Sequence, residues 1–324
     1  MKEIKITDID GIRIGNAENK QAGTGCTVII CEKGGTAGVD VRGGGPASHE
    51  TELLNPINTV DKIHGICLSG GSAFGLEATA GVMKYLEEKE IGFKVGDITV
   101  PIVCGASLFD LAVGDSKIRP DKEMGYKASQ NSEKNIICEG NFGAGTGASV
   151  GKYRGMERAM KSGLGVYAVQ VGELKVGAIV AVNAVGDVID IENNHSLAGI
   201  LNEEKNRILS TREEIWNDFE KTGGKFTGNT TIACLITNGQ FTKAQATKIA
   251  GMTHNGFARA ICPVHTSLDG DTIFVLGTGD IKTDVDTLGT LGAYVMAKAI
   301  NRAVRECESD YGLISLKDLK NKSC

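Results

Sequence analysis

Glycine is the residue that most restricts how this chain can fold, since it occupies 44 of the 324 positions. This is nearly twice the share of about 7% that is usual in globular proteins. So much glycine indicates many tight turns, close backbone approaches or left-handed backbone positions. Only five prolines accompany it, and short β-branched runs lie between the glycines. The chain is therefore not low-complexity, and its pattern is typical of a sheet-rich globular protein.

Strand-like and helix-like segments occur along the whole chain. Apolar runs over residues 63–68, 165–170 and 175–183 predict strands, the last two joined as a hairpin. Apolar periodicity predicts helices after Leu76, over residues 243–260 and over residues 285–305. Residues 115–140 are polar and predict a loop. Helices that cover several strand-rich stretches indicate an α/β or α+β layered domain.

Composition excludes several classes of function. The net charge of -5 gives no electrostatic footprint for nucleic acid and no basic membrane patch. Nine cysteines without a CxxC pair are typical of buried thiols in a reducing compartment. The five histidines lack metal-ligand spacing, so neither metal nor cofactor is expected. Without a signal-peptide pattern or an apolar run near ~18 residues, we expect a cytoplasmic protein.

Two glycine-rich segments resemble phosphate-binding loops but lack the required spacing. Residues 69–76 follow a strand and precede a helix, which makes an anion site conceivable, yet a G-x-G-x-x-G pattern is missing. Residues 141–152 end in Gly-Lys, but Thr146 and Tyr153 stand where a Walker loop needs glycine and a hydroxyl residue. We therefore predict no nucleotide site at either segment.

The stretch from Gly228 to Asn238 permits two interpretations. A Gly-Asn turn leads into Thr230 and Thr231, which open a β-branched run typical of a buried strand. From these residues alone, an ordinary turn into a strand is the favoured interpretation. If the bond before Thr230 were cut, however, that residue would carry a nucleophilic hydroxyl and a free α-amine. The polar residues 190–229 suit such a cut, since they predict an exposed, partly helical connector that is mobile near its end.

Six segments together resemble the DmpA-type L-aminopeptidase/D-esterase family, which includes the β-peptidyl aminopeptidases. In chain order these segments are Thr7 to Gly15, Arg42 to Pro46, Leu68 to Leu76, Val182-Asn183, Asn229 to Ile232, and Asp269 to Phe274. Because they occur in the family's order over nearly the whole chain, the resemblance is specific.

The resemblance implies a fold and a processing step. The fold is a single-domain, four-layered αββα sandwich over residues 1–324, of the type shared with ornithine acetyltransferases. Self-cleavage between Asn229 and Thr230 would give an α-chain of residues 1–229 and a β-chain of residues 230–324. A homo-oligomer, a tetramer by analogy, is also implied.

The resemblance also assigns roles to residues. Thr230 would be the nucleophile, its α-amine the base, and the Asn183 amide a donor to the oxyanion. Asp269 and Asp271 would orient the amine. Backbone N–H groups near residues 108–111 would supply a second oxyanion donor. The candidate substrate or oxyanion contacts are Ser107, Leu108, Gly70 and Gly71.

Two departures from the family leave the substrate open. The better-known aminopeptidases have Ser-Gly-Glu where this chain has Asp269 and Asp271, and a glutamate for the substrate ammonium where it has Ala106 or Ser107. Hydrolysis of small peptides or of amino-acid amides and esters is the predicted reaction. The alternatives are an acyltransferase of the ornithine acetyltransferase type and an uncleaved binding protein. His265 lies close to the aspartates in sequence, but a structural role is favoured for it.

Overall fold

The computed structural model describes residues 1–218 and 229–322. Residues 219–228, which include the end of the predicted connector and Gly228, lie outside the described residues. The mobility predicted for this segment therefore stays a prediction. Within the described ranges, no helix has the length and apolar character that a membrane crossing requires.

Seventeen strands and six α-helices are found in the described parts of the chain. The strands are β1 (Lys2–Ile4), β2 (Arg13–Asn19), β3 (Thr24–Val41), β4 (Ser48–His49), β5 (Lys62–Ser69), β6 (Phe93–Val95), β7 (Ile98–Val100), β8 (Val103–Ser107), β9 (Ser149–Val150), β10 (Met160–Lys161), β11 (Leu164–Val171), β12 (Leu174–Ala181), β13 (Asp187–Ile189), β14 (Ser196–Ala198), β15 (Ile232–Gln240), β16 (Ile261–Cys262) and β17 (Thr272–Lys282). The helices are α1 (Ala78–Glu88), α2 (Lys122–Asn131), α3 (Thr211–Asn217), α4 (Lys243–Ala260), α5 (Val285–Glu306) and α6 (Leu316–Lys322).

The long strand β3 belongs to two halves of the main sheet. Its first part pairs with β2 and β5, and its last part pairs with β17. The register with β5 shifts between Ile30 and Gly35. A Cβ added at Gly35 would lie 2.6 Å from the carbonyl oxygen of Gly277, so only glycine permits this close approach. The strand order is β1-β11-β12-β15-β17-β3 in one half and β3-β5-β8-β4 in the other.

Three hydrophobic cores separate four layers. Helices α4 and α5 cover the outer face of the first half, with Phe257, Ile300 and Val275 among the fully buried side chains. Helices α1 and α2 cover the outer face of the second half. Between the halves, β5 residues such as Leu68 share a core with Phe274 of β17. The arrangement is the predicted αββα sandwich.

Helix α2 corrects the prediction that residues 115–140 form a loop. The Asp121 carboxylate accepts a hydrogen bond from the Met124 N–H at 2.8 Å and so caps the helix N-terminus. The helix packs through small residues, since a Cβ on Gly125 would lie 1.9 Å from the Ala78 carbonyl oxygen of α1. Close packing through glycine and alanine buries the helix without the large apolar residues by which periodicity is recognised.

Part of the predicted connector 190–229 is packed rather than exposed. Strand β14 pairs with β13, and Leu197, Ile200 and Leu201 are buried. The Asp187 carboxylate holds the next helix, α3, because it accepts hydrogen bonds from the Thr211 N–H and hydroxyl. The prediction of an exposed segment is therefore wrong for residues 197–201. This apolar run is short, contains a glycine and is flanked by polar residues, so it gives only a weak strand signal.

Replacement of Phe274 tests the central core. Phe274→Ala removes a fully buried ring between the sheet halves and is expected to lower the free energy of unfolding by about 3–5 kcal/mol. Ile98→Ala, on the exposed β6–β7 hairpin, should change it by less than about 0.5 kcal/mol. Urea unfolding measures both. Equal, small effects of the two replacements would contradict a sealed core between the sheet halves.

Candidate active site at a junction of strand ends

Three neighbouring strands bring the predicted site residues to one end of the sheet. Strand β12 ends at Ala181, whose partner is Ile232 at the start of β15. Ile232 in turn pairs in parallel with Thr272 at the start of β17. Asn183 follows β12, Thr230 precedes β15, and the Asp269–Asp271 segment precedes β17. The structure therefore brings together all four predicted catalytic residues.

Thr230 is held by backbone groups on both sides. It is 4% exposed, and its N–H donates to the Asn183 carbonyl oxygen at 2.9 Å. The Gly270 N–H lies 3.1 Å from Thr230 Oγ1 and also 3.1 Å from the Asn229 carbonyl oxygen. Thr230 Oγ1 itself contacts that carbonyl oxygen. One N–H group thus faces both the hydroxyl and the carbonyl of the predicted scissile peptide.

Glycine is required at position 270 by this contact. A Cβ added there would lie 2.6 Å from Thr230 Oγ1 and 2.9 Å from the Gly45 carbonyl oxygen. The Arg42–Pro46 loop packs on the same segment, since the Gly45 N–H donates to the Asp269 carbonyl oxygen at 2.8 Å. The triple glycine in this loop allows backbone to approach backbone, because a Cβ on Gly43 would lie 2.2 Å from that same oxygen.

The Asn183 side chain is buried and both ends of its amide have partners. Its Oδ1 accepts from the Ser149 N–H at 3.1 Å and from Lys152 Nζ at 2.8 Å. Its Nδ2 donates one N–H to the Phe109 carbonyl oxygen at 2.8 Å. These partners fix the orientation of the amide. The amide nitrogen carries a second N–H, and this is the group that the predicted donation to an oxyanion would use.

Lys152 is a site residue that the sequence analysis missed. Its ammonium donates to both Asn183 Oδ1 and the Asn183 carbonyl oxygen, the latter at 3.0 Å. Burial lowers the pKa of Lys152 to about 7, against the opposing effect of Asp269, Asp110 and Asp271. A buried lysine with such a pKa can change its charge near neutrality. Its only sequence signal, the Gly-Lys pair of the rejected phosphate loop, pointed to different chemistry.

A third buried carboxylate, Asp110, was also missed. It accepts from the Thr24 hydroxyl and from the Gly71 N–H, both at 2.7 Å. Burial raises the pKa of Asp110 to about 6. A Cβ on Gly70 would lie 1.9 Å from its Oδ2. The glycines after β5 therefore make room for this carboxylate.

The four candidate substrate or oxyanion contacts have other partners in this structure. The backbone N–H groups of Gly70, Gly71, Ser107 and Leu108 donate to the Gly25 carbonyl, the Asp110 carboxylate, the Ala47 carbonyl and the Ser69 carbonyl, respectively. The Ser107 hydroxyl lies 2.6 Å from the Ser69 hydroxyl. A role for these residues in oxyanion binding stays a prediction and would require these bonds to break.

Asp269 and Asp271, the carboxylate pair, have different surroundings. Asp271 accepts from the Thr231 N–H at 2.8 Å, and from the His265 N–H and Nδ1 at 3.1 and 2.8 Å. Asp269 accepts from the Thr266 N–H and hydroxyl through Oδ2, while its Oδ1 has no partner among the described residues. The pKa of Asp269 is raised mainly by burial and, to a smaller extent, by the Asp271 carboxylate.

Comparisons with known proteins place the chain in a family. The family model described as peptidase family S58 matches residues 5–312. An uncharacterized aminopeptidase of Mycobacterium leprae is 37% identical over 293 residues, which cover 86% of this chain and 79% of the relative. A 6-aminohexanoate-oligomer endohydrolase of Kocuria sp. is 28% identical, over 92% of this chain and 85% of the relative.

A solved structure matches the fold at low sequence identity. The L-aminopeptidase D-Ala-esterase/amidase of Ochrobactrum anthropi, described as a new variant of the Ntn hydrolase fold, superposes with a TM-score of 0.71 at 18% identity. The match covers 98% of this chain and 91% of that one. This likeness confirms the fold that the four layers show.

The Lys152 pKa predicts how stability depends on pH. Between about pH 7 and pH 10 the unfolded chain retains the Lys152 proton that the folded chain has lost, so this group makes stability rise with pH. Lys152→Met should reduce that rise by at most about 1.4 kcal/mol per pH unit. Lys127→Met, at an exposed position of α2, should leave the slope unchanged. Unfolding free energies measured across this range check both variants, and equal slopes in wild type and Lys152→Met would contradict the assignment.

Proposed function

Because the chain belongs to peptidase family S58, we propose that it is a self-processing hydrolase whose nucleophile is Thr230. Peptidases transfer the acyl group to water rather than to an amine. Membership of a peptidase family therefore favours hydrolysis over the acyltransferase alternative. The proposed substrates are small peptides or amino-acid amides and esters.

The observation that carries the proposal is the shared contact of the Gly270 N–H with Thr230 Oγ1 and the Asn229 carbonyl oxygen. For cleavage, Oγ1 attacks the carbonyl carbon of Asn229, the C–N bond to Thr230 breaks, and the proton lost from Oγ1 is gained by the departing nitrogen, which leaves an ester between Asn229 and Thr230. The Gly270 N–H already points to the oxygen that becomes negatively charged, as an oxyanion donor must. Water then hydrolyses the ester, which releases the Asn229 carboxylate and leaves Thr230 with a free α-amine.

The free amine is then the base for substrate hydrolysis. A terminal amine has a reference pKa of about 8, so part of it is unprotonated near neutral pH. It lies within direct or water-mediated reach of its own hydroxyl. The intact peptide nitrogen donates to the Asn183 carbonyl oxygen, which offers the amine one acceptor. The family resemblance makes Asp269, whose buried Oδ1 has no partner among the described residues, a second candidate acceptor.

Lys152 and Asn183 would stabilise the acyl-enzyme transition state together. The ammonium holds the Asn183 Oδ1 and backbone carbonyl, so it orients the amide whose Nδ2 is the predicted oxyanion donor. Loss of one such donor typically costs about 3 kcal/mol of transition-state stabilisation. Lys152 also offsets the negative charge of the three buried carboxylates near it.

The substrate class is inferred from the residues at positions 106 and 107, which differ from those of the better-known aminopeptidases, and from the name of one relative. Ala106 and Ser107 provide no carboxylate for a substrate ammonium. One relative is an endohydrolase of 6-aminohexanoate oligomers, a name that indicates cleavage of amide bonds within an oligomer. We therefore propose that a free amino terminus is dispensable in the substrate.

Self-cleavage can be tested by intact-mass measurement. The wild-type protein is expected to yield two chains, residues 1–229 and 230–324. Thr230→Ala removes the nucleophile and should leave one chain, while Thr230→Ser keeps a hydroxyl and should still be cut. A single uncut wild-type species after prolonged incubation would refute self-processing and favour a binding protein. Cleavage of Thr230→Ala would place the nucleophile elsewhere.

The amide preference can be tested with matched substrates. An amino-acid anilide and its N-acetylated form differ only in the free amine. Comparable kcat/KM values for the two are expected, since no carboxylate at positions 106 and 107 holds an ammonium. A loss of at least about 100-fold on acetylation, the effect of leaving a built polar contact unmade, would show that the amine is recognised.

A further inference from the structure

His265 is held in an unusual conformation directly beside the carboxylate pair. It has a φ of 57°, in the left-handed region, which is uncommon for residues other than glycine. Such strain persists only where surrounding contacts determine it and is concentrated at functional sites. The contacts here are those with Asp271.

Both donors of His265 converge on one oxygen atom. The backbone N–H and the ring Nδ1 lie 3.1 and 2.8 Å from Asp271 Oδ2. Because a carboxylate oxygen accepts, Nδ1 carries the proton in this contact. The other Asp271 oxygen accepts from the N–H of Thr231, the residue after the proposed nucleophile. Asp271 thus connects His265 to the start of β15.

Asp271 accepts three hydrogen bonds, spread over both of its oxygens, and each stabilises negative charge there. Asp269 accepts only two, both at Oδ2. Burial and the Asp271 carboxylate raise the pKa of Asp269, against the opposing effects of Thr266 and Lys152. The asymmetry of donors therefore favours negative charge on Asp271 over negative charge on Asp269.

The groups around the His265 ring leave this donation undisturbed. The ring lies edge-on to His254 with centroids 4.7 Å apart, and it stacks on Phe257. Burial lowers the pKa of His254 to about 4, so His254 is neutral at neutral pH. Beyond His254 lie Asp40, whose carbonyl oxygen is 3.0 Å from Nε2, and Arg42, which is paired with the Asp40 carboxylate.

We propose that His265 is a positioning residue that fixes Asp271 as the ionised member of the carboxylate pair through its ring and backbone donors. The inference rests on the proposed function and deepens it. His265 acts on the reaction through Asp271, which in turn sets the charge that the Thr230 amine meets.

Two variants separate this role from a merely structural one. His265→Ala keeps the backbone N–H and removes the ring donor. His265→Asn restores a donor at nearly the same reach, and asparagine tolerates a left-handed backbone. His195→Ala, at an exposed position, is the matched control. The readouts are the fraction of chain cleaved, and kcat and KM for a chromogenic amino-acid anilide from pH 5 to pH 9.

The expected result is a change in the pH profile. Without the ring donor the Asp271 carboxylate loses one of its three hydrogen bonds, so less acid is needed to abolish the activity that depends on its negative charge. In His265→Ala the acidic limb of the kcat–pH profile should lie about one pH unit higher than in the wild type. At the pH of the wild-type limb, kcat should therefore be about 10-fold lower, with KM nearly unchanged. His265→Asn should restore the limb, and His195→Ala should not move it.

Two outcomes overturn the inference and one overturns its premise. If His265→Ala retains cleavage, kcat and the wild-type position of the acidic limb in the kcat–pH profile, the ring donor is dispensable. A uniform loss of kcat at all pH values, not rescued by His265→Asn, would assign His265 a structural role. A wild-type protein that neither cleaves itself nor hydrolyses the anilide would instead overturn the proposed function.

Discussion

The site depends on the parallel pairing of β15 with β17. Ile232 and Thr272 are partners in this pair, so the residues just before each strand necessarily lie side by side. The pairing extends one step further, because Asn229 and Asp269 form a parallel bridge. From that bridge the Gly270 N–H reaches the Asn229 carbonyl and the Thr230 hydroxyl. A shift of one residue would turn these groups to opposite faces of the sheet.

Burial gives this backbone framework its chemistry. Asp110, Asp269, Asp271 and Lys152 are all almost fully enclosed, where charged groups are costly unless they are paired or neutralised. The pKa of Lys152 is lowered and those of Asp110 and Asp269 are raised. Opposed shifts among neighbouring groups are typical of sites that exchange protons near neutral pH. Asp271 differs from these groups because three hydrogen bonds are donated to its carboxylate.

The elements found from sequence are those with strong local signals. Helix α4 spans the predicted residues 243–260, and the predicted hairpin is β11–β12, because apolar periodicity and a turn determine both. The register shift in β3 lies beside a close approach between Gly35 and Gly277, residues far apart in the chain, and helix α2 packs through glycine. Neither leaves a periodic pattern. Likewise, Thr230 was proposed from a turn signal combined with a family resemblance. Lys152 and Asp110 lie in irregular segments, and no sequence pattern there predicts that they contact the site.

The most direct test of Thr230 as the nucleophile is a trapped acyl-enzyme. A slowly hydrolysed amino-acid ester is mixed with the cleaved protein, the reaction is quenched in acid, and the mass of each chain is measured. We expect only the chain of residues 230–324 to gain the mass of one acyl group, and fragmentation to place that group on Thr230. An acyl group on any other residue, or on the chain of residues 1–229, would contradict it.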